Sequence, residues 1–458
     1  MIKYFLMKVL VVAGAFPELL GGGAKRSFEV IKHYSKYGVE PILFIPYTAL
    51  YKFTLMGMYN LKFSSKDVIH EFGEIVDKLS SNGVIIPNAT YQYSEEIVSQ
   101  LQSNHHKRLR KLTVYELVQL KKTEFKTTRK YLEEVKSEAS RIRFIYFLDG
   151  PLDSILMAYY AANRLSKPFG ILLQSEPYYE DLKEMFRFIN MEGWSIPRLA
   201  IKYLTAIYAN TYIKHEYLNV VKDNKLRLLA SVSEAPLKLS GLIRQVNNNY
   251  IRILYPANAY DDDLIKYRKV NDKCNYAVFS ARLTCEKGIL EIPYIWRKVL
   301  SKLPGAELII TGAFNKPKVE SLFKFLIRKL NLEKNIKYLG FIRRHKLPEI
   351  ISKAKLLVYP SHKDTFPLII LESLALGTTV VAYRIPAITS VYKDVKAVFT
   401  VPEYDVKAMA EKVVDIIKLE HSKLMDLHEN ELTLKFLKNH SSWENVAKAE
   451  VEIMKEYC

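Results

Sequence analysis

Two carboxylates eight residues apart, Asp364 and Glu372, stand in an otherwise apolar stretch, YPSHKDTFPLIILESLALGTTVVA (359–382). A carboxylate buried without a polar partner costs several kcal/mol by order of magnitude, so each needs one. Ligand hydroxyls suit them, because a carboxylate can accept two at once. Pro367 has no N–H, which leaves the amides of Phe366 and Leu368 as donors where a helix begins, and the dipole of that helix favours an anion beside them. A second cluster, SARLTCEKG (280–288), carries Arg282 and Lys287 in a strand-to-helix loop. Two fixed cations there could clamp a diphosphate and stabilise charge developing on its leaving oxygen. Read plainly, they are a pair of solvated charges. The third cluster is Gly21-Gly22-Gly23, where bare backbone can approach a phosphate or sugar ahead of a helix N-terminus. Its spacing is not G-x-G-x-x-G and no Walker lysine follows, so a simple tight turn fits equally well.

These clusters need a scaffold, and the hydrophobic pattern supplies one. Strand KVLVVAG (8–14), helix AKRSFEVIKHYSKYG (24–38) and strand PILFIPY (41–47) make a strand–helix–strand unit. A second unit runs from RFIYFLDG (143–150) through a helix at 153–166 to FGILLQS (169–175). After a polar, Pro-punctuated stretch at 256–275 the alternation restarts, with strands expected at 276–281, 306–312, 336–341, 355–361 and 378–383 and helices between them. Such alternation predicts two α/β domains with parallel sheets, and ligands bind at the carboxyl ends of parallel strands. The expected division is 1–258, 270–428 and a helical segment, 429–458. The basic region at 60–140, with HHKRLRKL (105–112), reads as a solvated helical face or a surface for an anionic membrane or acceptor, and RLAIKYLTAIYANTYIKHEYL (198–218) as a covering helix. Asp261-Asp262-Asp263 reads as a solvated turn, and His362 as a loop residue rather than a catalyst.

Composition narrows the classes. The chain is 49% hydrophobic and 26% charged, which is globular protein, and 68 Lys and Arg against 49 Asp and Glu give +19. That excess favours polyanionic partners: nucleotide phosphates, nucleic acid or an anionic membrane. No helix-turn-helix, zinc-knuckle or aromatic RNA-binding motif is present, so nucleic acid is not expected. Three cysteines without metal spacing suit a reducing, cytoplasmic interior. The stretch 366–383 has the length of a membrane span, but Glu372 and Gly377 make it a helix, a stop and a buried strand. The opening MIKYFLMKVLVVAGAF looks faintly like a signal peptide, yet Lys8 interrupts it and a glycine turn follows, so a first buried strand is expected.

Taken in order along the chain, residues 276–400 resemble the nucleotide-binding domain of retaining glycosyltransferase family 4, which has the GT-B fold of two Rossmann-like domains facing a cleft. The family's G-R-L-x-x-x-K-G loop stands here as Ala281-Arg282-Leu283-Thr284-Cys285-Glu286-Lys287-Gly288. Its E-x7-E motif stands as Asp364 to Glu372, followed by Gly377-Thr378-Thr379-Val380-Val381. LIITG ending at Gly312, IKYLGFIRRHKLPEIISKAKLLVYPS, and Ser442-Trp443-Glu444 near the end also match the family's course. The resemblance implies that Arg282 and Lys287 hold the donor diphosphate and that Glu372 binds the ribose hydroxyls. It implies further that Asp364 meets the transferred sugar, with the Phe366 and Leu368 amides near sugar or phosphate and Gly312 beside the donor. Gly22 and Gly23 would close over the diphosphate from the opposite domain. Two departures stand out. The first acid of the motif is Asp364, one methylene shorter than Glu, and no His lies between His106 and His215, where Asp149 stands at the place of the family's N-domain histidine and could bind a sugar hydroxyl or simply cap the next helix.

The expected activity is transfer of a sugar from a nucleoside-diphosphate sugar to an acceptor hydroxyl, with retention, no metal and no cofactor. The acceptor would be a glycan or lipid-linked molecule, reached by peripheral contact with the inner membrane face. The alternatives on the same architecture are a sugar-nucleotide epimerase or a glycan phosphorylase, and off it a nucleotide- or nucleic-acid-binding protein.

Overall fold

The computed structural model describes residues 6–14, 22–59, 64–103, 114–148, 152–191 and 196–457. Gly21, Asp149 and the HHKRLRKL segment lie outside them. The described residues form two six-stranded sheets, and every strand pair is parallel. The first contains β1 (Met7–Val12), β2 (Val39–Phe44), β3 (Ile142–Leu148), β4 (Phe169–Leu173), β5 (Leu226–Ser231) and β6 (Ile251–Ile253), in the order β2-β1-β3-β4-β5-β6. The second contains β7 (Cys274–Ser280), β8 (Glu307–Thr311), β9 (Ile336–Tyr338), β10 (Ala354–Tyr359), β11 (Thr379–Tyr383) and β12 (Val398–Val401), in the order β12-β11-β10-β7-β8-β9. The α/β alternation read from the sequence is therefore the architecture found. The central strands are apolar throughout, as strands covered on both faces must be: Val9–Val12, Leu356–Val358 and Val380–Ala382 are all fully buried.

Each sheet has one point where the strand order reverses, and ligands collect there because neighbouring loops diverge. In the second sheet it falls between β7 and β10, which directs the Arg282–Lys287 loop and the Asp364 loop to the same crevice. In the first sheet it falls between β1 and β3, the strands that precede the glycine turn and Asp149.

The polar region after β2 folds as helices Ser65–Ser80, Asn88–Ser103 and Val114–Glu134, which bury Phe72, Val76, Tyr93, Ile97 and Tyr131. Glu124 is itself buried there and accepts from the amides of Tyr47 and Thr48 at 3.1 and 2.6 Å, satisfying the start of the helix Tyr47–Tyr59. The helix Ile196–Val221 departs from the sequence reading. It is not a cover, since no residue from 198 to 209 is buried, and only Asn210, Tyr217, Val220 and Val221 are. Its last turns pack into the core, while its earlier turns meet the helix Leu182–Met191 only in part, with Tyr203 against Phe186 at 4.5 Å, and leave their outer side in water.

The final helix, Trp443–Lys455, lies against the first helix, Gly22–Ile31. The contact centres on a buried ion pair, Arg26 to Glu450 at 2.8 Å, with Tyr34 donating to the other Glu450 oxygen at 3.0 Å. Arg26 Nε also donates to the carbonyl of Ala257 at 2.7 Å. Removing one partner of such a pair strands the other charge in the interior, which costs about 3–5 kcal/mol, whereas an apolar pair of similar size can be neutral. Glu450→Leu and Arg26→Met should each lower the denaturation midpoint strongly, and the double variant should recover much of the loss. A double variant as unstable as the sum of the singles would refute this account of the contact.

Candidate active site

The loops leaving β7, β8 and β10 converge because two glycines allow it. Gly288 has φ +76°, and a Cβ there would stand 2.1 Å from the Pro360 carbonyl oxygen. Gly312 has φ +129°, and a Cβ would stand 1.9 Å from the Ala281 carbonyl oxygen. Neither distance is possible for a side chain, so both positions depend on glycine. Between these loops and the first domain lies a cleft of about 540 Å³. Arg282, Lys287, Gly312, Asp364, Phe366 and Leu368 line it, with Gln174 and Val232 facing them from the first domain.

Inside the cleft Lys287 and Asp364 form an ion pair at 2.6 Å, both largely shielded. Lys287 Nζ also donates to the carbonyl of Lys363 at 2.8 Å. The Tyr359 hydroxyl donates to the same Asp364 oxygen, and the Thr365 amide donates to the other at 3.0 Å. Burial alone would raise the Asp364 pKa, but the Lys287 charge and these hydrogen bonds hold it below the usual carboxylate range. Asp364 is thus an anion at neutral pH. Arg282 stands otherwise: its side chain is 77% exposed, and Glu286 lies 3.9 Å away. The helix Leu368–Ala375 starts on Pro367 with no side-chain cap, which leaves its first N–H groups for a ligand.

Glu372 does not line this cleft. It accepts from Arg344 at 3.0 Å, and Arg344 also meets Asp261 at 2.9 Å. Asp261 in turn accepts from Lys25 at 2.6 Å and from the Trp443 indole at 3.2 Å. Burial raises the Glu372 pKa, with Arg344 and Lys25 opposing the shift. Burial also dominates at Lys25, lowering its pKa. Asp261 is therefore not part of a solvated turn: it is the middle of an ion ladder, while Asp262 and Asp263 are exposed. Gly22 and Gly23 are the first two residues of the helix that carries Lys25, so the ladder joins that helix start to Glu372. Among the described residues no cluster of His, Cys, Asp or Glu is placed to hold a metal.

The two domains are fastened across the cleft. Thr365 Oγ1 donates to the Gln174 carbonyl and Ser233 Oγ to the Thr365 carbonyl, each at 2.6 Å. Lys363 pairs with Glu176 of the first domain. His362 is a loop residue, but a buried one: its ring nitrogens meet Glu291 and Glu403, and its ring stacks on Tyr404 at 4.3 Å. Arg187 of the first domain bonds to Glu403 at 3.1 Å. Sequence reasoning missed Lys25, Tyr359, Thr365 and the role of Arg344. Tyr359, Thr365 and Arg344 lie in the stretches that resembled the family but were given no role there, and Lys25 left no signal.

Burial opposes the charge on His362, but Glu291 and Glu403 outweigh it and raise its pKa above 6.5. A raised pKa means that stability from the charged ring is present in full below pH 6.5 and is lost as pH climbs through the folded value. Thermal melts should therefore show wild type losing stability above pH 6.5, and His362→Asn should be less stable below that pH but flatter across it. Equal slopes for both proteins would contradict the assignment.

Residues 261–432 match the family model described as glycosyl transferases group 1. A glycosyltransferase described as uncharacterized, MJ1607 of Methanocaldococcus jannaschii, is 24% identical over 200 residues, which is 43% of this chain and 49% of that one, so the match spans about half of the relative. Among solved structures, Anabaena HepE in complex with UDP and glucose superposes with a TM-score of 0.61 at 13% identity, covering 98% of this chain and 100% of that one. Sucrose-phosphate synthase from Thermosynechococcus elongatus gives a TM-score of 0.60 at 13% identity, with 98% of each chain covered. The chain has the GT-B glycosyltransferase fold, and its residues 261–432 are similar to the glycosyl transferases group 1 domain.

Proposed function

We propose that the protein moves a sugar from a nucleoside-diphosphate sugar to an acceptor hydroxyl with retention of configuration. The observation that carries this reading is the convergence of Arg282, Lys287, Asp364 and an uncapped helix start on one interdomain cleft. An ammonium has three donors, and Lys287 spends two on Lys363 and Asp364, so its third is free for a phosphate oxygen. The exposed Arg282 guanidinium can close on the same diphosphate as its charge grows. Asp364 keeps an acceptor site on the oxygen that Thr365 contacts, suited to a sugar hydroxyl. Glu372 would exchange Arg344 for ribose hydroxyls, with Gly22 and Gly23 closing over the diphosphate and Gly312, Phe366 and Leu368 framing the sugar. Asp149 would bind a sugar hydroxyl from the first domain.

In the transfer itself the acceptor oxygen bonds to the anomeric carbon as the bond from that carbon to the diphosphate breaks on the same face. The departing phosphate oxygen takes the acceptor's proton. Arg282 and Lys287 supply the counter-charge, so neither metal nor cofactor takes part. UDP-sugars are the first donors to test, since Anabaena HepE was solved with UDP-glucose. The positive balance of the chain favours a lipid-linked or membrane-surface glycan as acceptor.

A binding screen of UDP-, GDP- and ADP-sugars tests the reading. One nucleotide should bind, and Glu372→Ala should weaken it by about 10- to 100-fold, the loss of charge-assisted hydrogen bonds. Lys287→Ala should lower kcat by about 100-fold or more. Unchanged affinity in Glu372→Ala would remove that residue from the donor site, and failure of every nucleotide to bind would end the proposal.

A further inference from the structure

The helix Ile196–Val221 exposes Ile201 (62%), Leu204 (68%), Tyr208 (76%) and Tyr212 (40%) to solvent. Spaced three and four residues apart, these side chains form one ridge along the helix. A ridge of this kind on a water-soluble surface calls for an occupant. The charges around it say which. The helix carries Arg198, Lys202 and Lys214 against the single carboxylate Glu216. Beside it runs the helix Val114–Glu134, with Lys121 Nζ 5.6 Å from the Tyr212 ring. Along residues 121–130 of that helix Lys121, Lys122, Lys126, Arg129 and Lys130 are exposed, and Phe125 is half-exposed among them. The one carboxylate in that stretch, Glu124, is buried against the amides of Tyr47 and Thr48. An apolar, tyrosine-bearing ridge flanked by the exposed cations of residues 121–130, with Glu216 the one carboxylate of its own helix, matches the acyl and headgroup layers of an anionic bilayer.

We propose that this face docks on an anionic lipid surface, with Ile201, Leu204 and Tyr208 entering the interface. The inner side of the same helix supports a purpose. A second cavity of about 480 Å³ lies between it and the donor loop, walled by Phe188, Ala206 and Ala209 on one side and Thr284, Cys285 and Glu286 on the other. A lipid-linked acceptor leaving the bilayer beside the ridge would pass through this cavity toward Arg282 and Lys287. The proposal deepens the membrane-surface acceptor of the preceding reading and rests on it only for that last step.

Flotation of the full chain with vesicles of phosphatidylglycerol and phosphatidylcholine, or of phosphatidylcholine alone, tests it. Wild type should float with the anionic vesicles at low salt. The variant Ile201→Glu/Leu204→Glu/Tyr208→Glu should float about tenfold less, with an unchanged melting temperature. Nucleotide binding is measured on both proteins, so that loss of the donor reading shows there and loss of the docking reading shows in flotation. Wild type that does not float, or a variant that floats equally, overturns the proposal. So does a wild-type dimer that the variant dissolves, which would make the ridge a contact between two copies.

Discussion

The buried pair of Arg26 and Glu450 joins the two ends of the chain, and the geometry of the cleft depends on it. Arg26 sits in the helix that begins at Gly22 and Gly23, and Glu450 on the last helix of the polypeptide. Both side chains are almost wholly shielded from water, so neither charge has an alternative partner in solvent without opening the contact. The residue before Arg26 is Lys25, which turns instead to Asp261, the acid that Arg344 links to Glu372. Two successive residues of one helix thus do different work: one holds the C-terminal helix, and the other anchors the ion ladder that runs through Asp261 and Arg344 to Glu372. Because successive side chains on a helix diverge by about 100°, a small rotation of that helix would disturb both contacts together.

The ligand-free site is already satisfied. Asp364 has Lys287, Tyr359 and Thr365, and Glu372 has Arg344. Donor binding as proposed would therefore be an exchange of partners rather than a filling of vacant groups. That has an energetic consequence. Leaving buried carboxylates unpaired would cost several kcal/mol in the free protein, whereas an exchange keeps both states near balance and lets the ligand be released. It also explains why the cations differ so much in exposure. Lys287 is held in place by two acceptors, while Arg282, at 77% exposure, has only Glu286 at 3.9 Å beside it, which under the proposed function would let it close on the diphosphate.

Most of the second domain was legible in the sequence, because its chemistry is local. The 280–288 and 359–382 stretches each contain a strand end, a loop and a helix start, so spacing alone aligns Arg282, Lys287 and Asp364 with the crevice. The topology then brings the two stretches together across neighbouring strands β7 and β10. What could not be read was long-range. Asp261 looked like a solvated turn because its partners Lys25, Arg344 and Trp443 come from three distant segments. His362 gave no sign of its two carboxylates, Glu291 and Glu403, for the same reason. The helix at 196–221 was misread in the opposite sense: an apolar composition implies burial, but only packing decides whether a neighbour exists to bury it.

The formal charge of +19 does not say how the two signs are placed along the helix Val114–Glu134. A carboxylate that serves the interior no longer offsets a surface lysine. Glu124 satisfies helix amides, Glu134 accepts from the amides of Asn88 and Ala89, and Glu450 neutralises Arg26 inside the protein. Glu124 and Glu450 sit where a neutral side chain would leave buried donors or a buried cation unmatched, whereas Glu134 does its work at the surface. The cations of residues 121–130, by contrast, are all exposed, and long stems let them stay in water whatever lies beneath. Within residues 121–130 packing has thus turned the one acid inward and left the bases outward, and the field of that stretch follows from how the fold satisfies a helix start rather than from composition alone.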